Sequence, residues 1–256
     1  MRFRALLLLL ALALVAQTGS AQIELGGDGA VSRTWVPVIG TVPGPGGIQW
    51  RTDVTVANYT GRDTIVVLTM VAAPEQPVTF ISMQPGQVIT YTNIATETFG
   101  SPGRLSPLEI RNTGNIPVSV RATAYPVDAN GPGTAEDLAI VYDEPMQVPQ
   151  RVSGLLIDET HRTNIGVANL GEEEAVVSLI LQRVEGRVLA ETTFRLGPQS
   201  LIQAPLQFFF PLVSEGSGFS VAAVASNPAC SFYGSVIRNG SNDAVFVGPS
   251  PASTFP

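Results

Sequence analysis

The 256-residue chain carries 14 basic and 21 acidic residues for a net charge of −7, and every basic residue is Arg. That balance repels phosphate backbones and anionic lipid, which sets aside nucleic-acid and membrane-surface partners. With no Lys, Schiff-base and P-loop chemistry are excluded; a single Cys forms no internal disulfide, and one Cys with one His does not make a zinc site.

The chain opens MRFRALLLLLALALVAQTGSAQ, two Arg ahead of an apolar run from Ala5 to Ala16 and then small residues. Such a run is too short to cross about 30 Å of hydrocarbon and reads as a secretory signal peptide, residues 1–21, cleaved after Ala21. Losing Arg2 and Arg4 takes the net charge from −7 to −9 in a mature form Gln22 to Pro256. A flexible leader, residues 22–32, should follow. We expect a secreted or periplasmic protein with no membrane span in the mature form.

The next phrase, RTDVTVAN from Arg51 to Asn58, returns as RTNIGVAN from Arg162 to Asn169. At the same offset TIVVLTM (Thr64 to Met70) lies over AVVSLIL (Ala175 to Leu181). Alternation turns Val54, Val56, Val66, Leu68 and Met70 inward, and likewise Ile165, Val167, Val177, Leu179 and Leu181. The intervening YTGRD and LGEEE are polar turns expected to close an antiparallel pair in each copy. Arg51 and Arg162 share a strand face with Asp53 and Asn164, as in a solvated cross-strand arrangement. Asn58 and Asn169 fall at the strand ends, where Asn suits a turn.

The copies then keep one order of parts. QPGQVITY parallels LGPQSLIQ; TNIATETFG and APLQFFFPLVSEG each suit a short helical turn. LEIRNTGNIPVSVRATAYP and FSVAAVASNPACSFYGSVIR read as hairpins, with turns at Asn112 to Asn115 and Ser226 to Ala229. Last strands, DLAIVY and DAVFV, follow Gly-rich loops. About seven short strands per copy is the pattern of a β-sandwich. The expected fold is all-β: one sandwich over residues 33–145, a second over residues 146–249 and a tail, 250–256, with YDEPMQVPQ as the linker.

Over nearly all of Trp35 to Pro249 this succession of RT[D/N]xxVAN, alternating strand, PGQ-like turn, IATETFG or FFFPLVSEG segment and GSVIRNGSNDAVFV resembles the tandem immunoglobulin-like repeats of secreted proteins from GC-rich bacteria. The resemblance implies two immunoglobulin-like β-sandwiches and a surface or accessory role, with no shared catalytic residue to carry over.

Chemistry-bearing residues are dispersed. His161 precedes the repeated Arg162 and reads as a strand-edge residue; Cys230 alternates with Phe232 and Val236 and should be a buried thiol. Asp128, Asn130, Glu136 and Asp137 in DANGPGTAED are the only gathered oxygen ligands, a calcium candidate without EF-hand spacing that reads first as an interstrand turn. Trp35, Trp50, Tyr59, Tyr91 and Phe208 to Phe210 suit a core before a stacking surface, with a helical turn burying two of the three Phe. No cofactor is expected.

The sequence therefore points to an exported, non-catalytic binding or structural protein whose partner is a protein or polysaccharide. Candidate contact loops are Thr60, Gly61, Arg62 and Asp63; the loop Asp128 to Asp137; Glu172, Glu173 and Glu174; and Asn239, Asn242 and Asp243. The alternative is a periplasmic chaperone of the pilus-assembly type, which lends a strand to a partner's open sheet. Those chaperones hold a carboxylate with an Arg and a Lys, and this chain has no Lys. A secreted hydrolase ranks last, because no GxSxG elbow or spaced carboxylate pair is present.

Overall fold

A computed structural model describes residues 31–138, 141–142, 149–183 and 185–251. The expected signal peptide, most of the expected leader, the centre of the expected linker and the end of the expected tail lie outside the described residues. The first half contains β1 (Val31–Gly40), β2 (Val42–Pro43), β3 (Gln49–Ala57), β4 (Thr64–Met70), β5 (Val78–Met83) and β6 (Val88–Tyr91). A helical turn α1 (Ile94–Glu97) leads to β7 (Leu105–Thr113), β8 (Ser119–Asp128), β9 (Gly131–Pro132), β10 (Glu136–Asp137) and β11 (Val141–Tyr142). The second half contains β12 (Gln150–Ile157), β13 (His161–Asn169), β14 (Ala175–Arg183), β15 (Val188–Leu196), β16 (Ser200–Pro205) and α2 (Leu206–Phe209). It ends with β17 (Gly216–Ala225), β18 (Cys230–Arg238), β19 (Ala244–Val247) and β20 (Ser250–Pro251), which reaches into the segment expected to be tail.

The fold is all-β and its strand ladders are antiparallel. In the first half, a sheet ordered β11-β1-β7-β4-β5 faces one ordered β10-β8-β3-β2, with β6 also on β3 and β9 on β8. In the second half, β15-β14-β17-β12-β20 faces β16-β13-β18-β19. Among the described residues no ladder joins one half to the other. Each pair of sheets encloses its own apolar core, and the ten side chains that alternation turns inward are all buried.

Four of the expected hairpins are corrected, two in each half. The strands of each repeated phrase do not pair: β3 and β4 lie in opposite sheets of the first half, and β13 and β14 in opposite sheets of the second. The same holds for β7 with β8 and for β17 with β18. The chain crosses from sheet to sheet at these turns, an arch in place of a hairpin, and at the first crossing of each half the repeated Asn holds the arch. Fully buried Asn58 donates from Nδ2 to the carbonyls of Arg62 (2.8 Å) and Met83 (3.0 Å), and its Oδ1 accepts from the Thr60 amide (3.0 Å). Asn169 does the same with Glu173 (2.7 Å), Leu196 (3.2 Å) and the Gly171 amide (3.1 Å). Met83 and Leu196 end the edge strands of the opposite sheets, so one side chain satisfies the turn and ties the two layers together.

The repeated Thr serves the other end. Thr52 Oγ1 accepts from the Gly40 amide (3.1 Å), and Thr163 Oγ1 accepts from the Leu156 amide (3.3 Å) while donating to the same residue's carbonyl. Both contacts bridge from one sheet to a strand of the other near a break in register, and Leu156 lies within the break itself. R-T-x-x-x-V-A-N is thus a core strand with a cross-sheet tie near each end.

Replacing Asn169 with Ala strands buried carbonyls of the arch without a donor. We expect a loss of roughly 3 kcal/mol of unfolding free energy, read from urea denaturation, because each orphaned buried polar group costs about 1 to 3 kcal/mol.

Candidate functional site: the cleft between the halves

The outer face of the β16-β13-β18-β19 sheet is covered by the first half. Its centre is Tyr233 on β18, which is 1% exposed and belongs to the core cluster of the first half. The ring lies flat over β13: a Cβ on Gly166 would sit 1.9 Å from it. Phe246 stacks on the other side at 5.0 Å, and the phenol donates to Gln203 Oε1 at 2.6 Å. Gly166 is the one position of the repeated octapeptide where a branched residue, Thr55, gives way to none. On the first copy Thr55 meets Thr90 on an exposed strand face. The departure from the repeat therefore marks the contact.

Beside Tyr233 lies a cavity of about 310 Å³. Val38, Val42, Pro43, Trp50, Leu105 and Leu138 line it from the first half, and Arg162, Asn164, Gln203, Ile237 and Phe246 from the second. Glu136 of β10 also lines it, only 9% exposed, with Oε2 lacking a hydrogen-bond partner. Burial pushes its carboxyl up to about 7, a rise partly offset by a hydrogen bond from the Ser235 hydroxyl across the interface. Burial, then the nearby Glu136 carboxylate, raises the Tyr233 phenol well above its usual value. The cavity is of ligand size, with an apolar lining interrupted by polar groups, among them Glu136, Arg162, Asn164 and Gln203.

A second cluster seals the contact: Trp35 and Val71 meet Ala168 and Leu170, with Leu201 packed against them. Gln76 Nε2 donates to Gln199 Oε1 across the interface at 2.9 Å.

The residues singled out from sequence fall in several places. Asp128 and Asn130 bond to each other at an exposed turn, Asp137 pairs with Arg121, and Glu136 is buried in the cleft, so the calcium candidates face different surroundings. No three His, Cys, Asp or Glu among the described residues group as metal ligands. Thr60 is held by Asn58, while Gly61, Arg62 and Asp63 are exposed. Glu172, Glu173 and Glu174 cap the matching arch of the second half, and Glu174 pairs with Arg195.

The last candidate loop is committed to the interface region. Arg162, expected to be solvated, is half-buried and donates to Asn239 Oδ1 (3.1 Å) and Asn242 Oδ1 (3.0 Å). Hydrogen bonds from Ser241 and from Thr134 of the first half lower the Asp243 carboxyl. His161 sits in a turn where hydrogen bonds to Asp158, first from the Thr160 hydroxyl, hold that carboxyl at about 2. Cys230 lies in the second core, where burial pushes its thiol up to about 11. Phe209 and Phe210 are buried and Phe208 is exposed. Trp35 is buried and Trp50 half-buried at the cleft, Tyr91 packs on the first core, and Tyr59 is exposed.

No protein-family model matches this chain, and no curated protein sequence matches it. Among solved structures, the C-terminal domain of the Streptococcus pyogenes antigen I/II-family protein AspA aligns over 88% of this chain and 99% of that one, at 9% identity and a TM-score of 0.18. Overlap at that level leaves the reading to the geometry. Among the described residues no helix is long and apolar enough to cross a membrane.

Glu136 generates a pH prediction. Its folded pKa is raised, so the folded state holds this proton more tightly than the unfolded one. The resulting stability is fully present below about pH 4.5 and is lost as pH rises through about 7. The loss is on the order of 3 kcal/mol. Glu136→Gln should flatten that slope in denaturation curves taken between pH 5 and 8 and leave the variant more stable than wild type at the upper end.

Proposed function

We propose that this chain is an exported, non-catalytic protein of two immunoglobulin-like β-sandwiches that binds a protein or polysaccharide partner in the periplasm or outside the cell. The observation that carries the reading is Tyr233, a side chain of one half buried in the core of the other. A joint of this kind makes the halves one scaffold and holds their loops in a fixed relation, which suits recognition of an extended partner. The repeated residues of each half are consumed in framework, as Thr52, Thr163, Asn58 and Asn169 illustrate. His161 and Cys230, the most reactive side-chain types present, are held in a turn and in a core. The exposed arches Thr60 to Asp63 and Glu172 to Glu174 are the preferred contact loops, since Asn239, Asn242 and Asp243 are engaged by Arg162, Ser241 and Thr134.

One observation favours the second reading, a pilus-type chaperone: β5 is an open, uncharged edge strand of the kind through which strands are exchanged.

The test is capture by the immobilised mature chain from envelope and secreted fractions, repeated with Ala/Ser replacements in each arch. We expect replacement of at least one arch to reduce capture tenfold or more. Capture indifferent to every replacement removes the loop-contact reading, and reproducible hydrolysis of a polysaccharide or peptide substrate by purified protein overturns the non-catalytic one.

A further inference from the structure

Glu136 is an inward-facing carboxylate. On β10 it pairs directly with Ala124 of β8, and both Ala124 and Leu138, two residues on from Glu136, pack in the core of the first half. The Glu136 side chain therefore enters the space between the sheets, at the end of the sandwich that the second half covers. Its Oε2 is buried in the cavity wall without a hydrogen-bond partner, in a residue only 9% exposed. A buried carboxylate left half-satisfied is costly, and a contact built for stability alone would place an apolar residue there.

The internal repeat shows that the framework does not require it. In the first half Thr52 pairs with Ala124, and Ala124 with Glu136; in the second Thr163 pairs with Val236, and Val236 with Val245. Val245, apolar and exposed, thus occupies the matching register. The usual preference is inverted: the carboxylate stands in the copy where the position is buried, and the valine where it meets solvent.

The lining selects the charge of a ligand. Of the two cations around the cavity, Arg162 commits both terminal nitrogens to Asn239 and Asn242. Arg51 pairs in register with Tyr125 and acts on its phenol, which donates to Asp53. The open oxygen of Glu136 is the acceptor that a ligand can satisfy, and the Trp50 indole in the same wall also favours a cation. A net charge of −7 draws cations to the chain and repels anions.

We propose that the cavity between the halves binds a small organic cation, a primary amine on an apolar body, with the ammonium donating to Glu136 and the body lying against Val38, Trp50, Leu105 and Leu138. Once the carboxyl is ionised, the ammonium supplies the neutralising charge that a proton supplies at lower pH. A volume of about 310 Å³ is at the small end of ligand sites and suits one ring or a short chain, not an oligosaccharide. Both halves line the site, so a bound amine also strengthens the joint between them. The site goes beyond the partner-binding reading and does not depend on the exposed arches.

The test is isothermal titration of the mature chain with benzylamine, benzyl alcohol and benzoate, at physiological salt to screen exposed charges. A pH of about 8 lies above the value of about 7 to which burial pushes Glu136, so the carboxyl is ionised while the amine is still protonated. Benzylamine should bind at one site with a dissociation constant of about 1 mM, as suits a fragment of that size, and benzyl alcohol at least tenfold more weakly. Benzoate should not bind. Glu136→Gln keeps the side-chain shape and removes the charge, and should bring benzylamine down to the level of the alcohol. That variant is expected to be the more stable protein at this pH, so lost binding in it does not report unfolding. Ala124→Leu, which grows into the cavity opposite Glu136, should weaken amine and alcohol alike. Equal affinity for amine and alcohol overturns the proposal, as does saturable binding of benzoate. Benzylamine binding that survives Glu136→Gln overturns it too and assigns the amine to the acidic surface, and an absence of saturable benzylamine binding removes the site.

Discussion

A buried amide at the end of a strand sets the architecture of each half. When a chain turns from one sheet into the facing one, the backbone groups of the turn leave both ladders and enter an apolar layer, where an unpaired carbonyl is costly. Asn58 and Asn169 supply donors and an acceptor at that point, and each reaches the last residue of an edge strand in the opposite sheet. With the crossing fixed, alternation along the strands on either side turns Val54, Val56, Val66 and Leu68 into one core and Ile165, Val167, Val177 and Leu179 into the other. The cross-sheet ties of Thr52 and Thr163 then hold the far end of the same strands.

Duplicating this unit creates a second constraint. Two copies of one framework have like surfaces, so joining them requires one copy to change. The change is concentrated on the outer face of the second half: Gly166 opens the strand backbone, Tyr233 fills the space, and Phe246 and Gln203 hold the ring and its hydroxyl. The first half answers with an apolar rim and with Glu136, whose burial is tolerated because its carboxyl can stay protonated near neutral pH. At the edges the copies diverge in the opposite sense. Charge appears on β15, close to Glu174, and is missing from β5.

Much of the framework was legible in the sequence because alternation and the repeat both report burial. The inward faces of the repeated strands, the helical turn that buries two of the three Phe and the buried Cys230 follow from residue type and spacing. Pairing was less legible: a short polar turn between two alternating strands looks the same whether it closes a hairpin or an arch, and the difference lies in what the buried Asn side chain reaches. The contact between the halves was the least legible part, since Tyr233 and Glu136 acquire their roles from each other's half of the chain, Tyr233 in the core of the first half and Glu136 beside Ser235 of the second. One signal was present, the loss of the branched residue at Gly166 within an otherwise repeated phrase. Read against Thr55, it marks a face that must admit something flat.

The central claim is that the halves form a single scaffold through Tyr233. Trp35 and Trp50 both lie in the first half, whereas strand content is spread over both, so tryptophan fluorescence and far-ultraviolet circular dichroism report different parts of the chain. In equilibrium urea unfolding at pH 6 the two signals should trace one transition with a common midpoint. Separate midpoints, with one half melting while the other stands, would contradict the account.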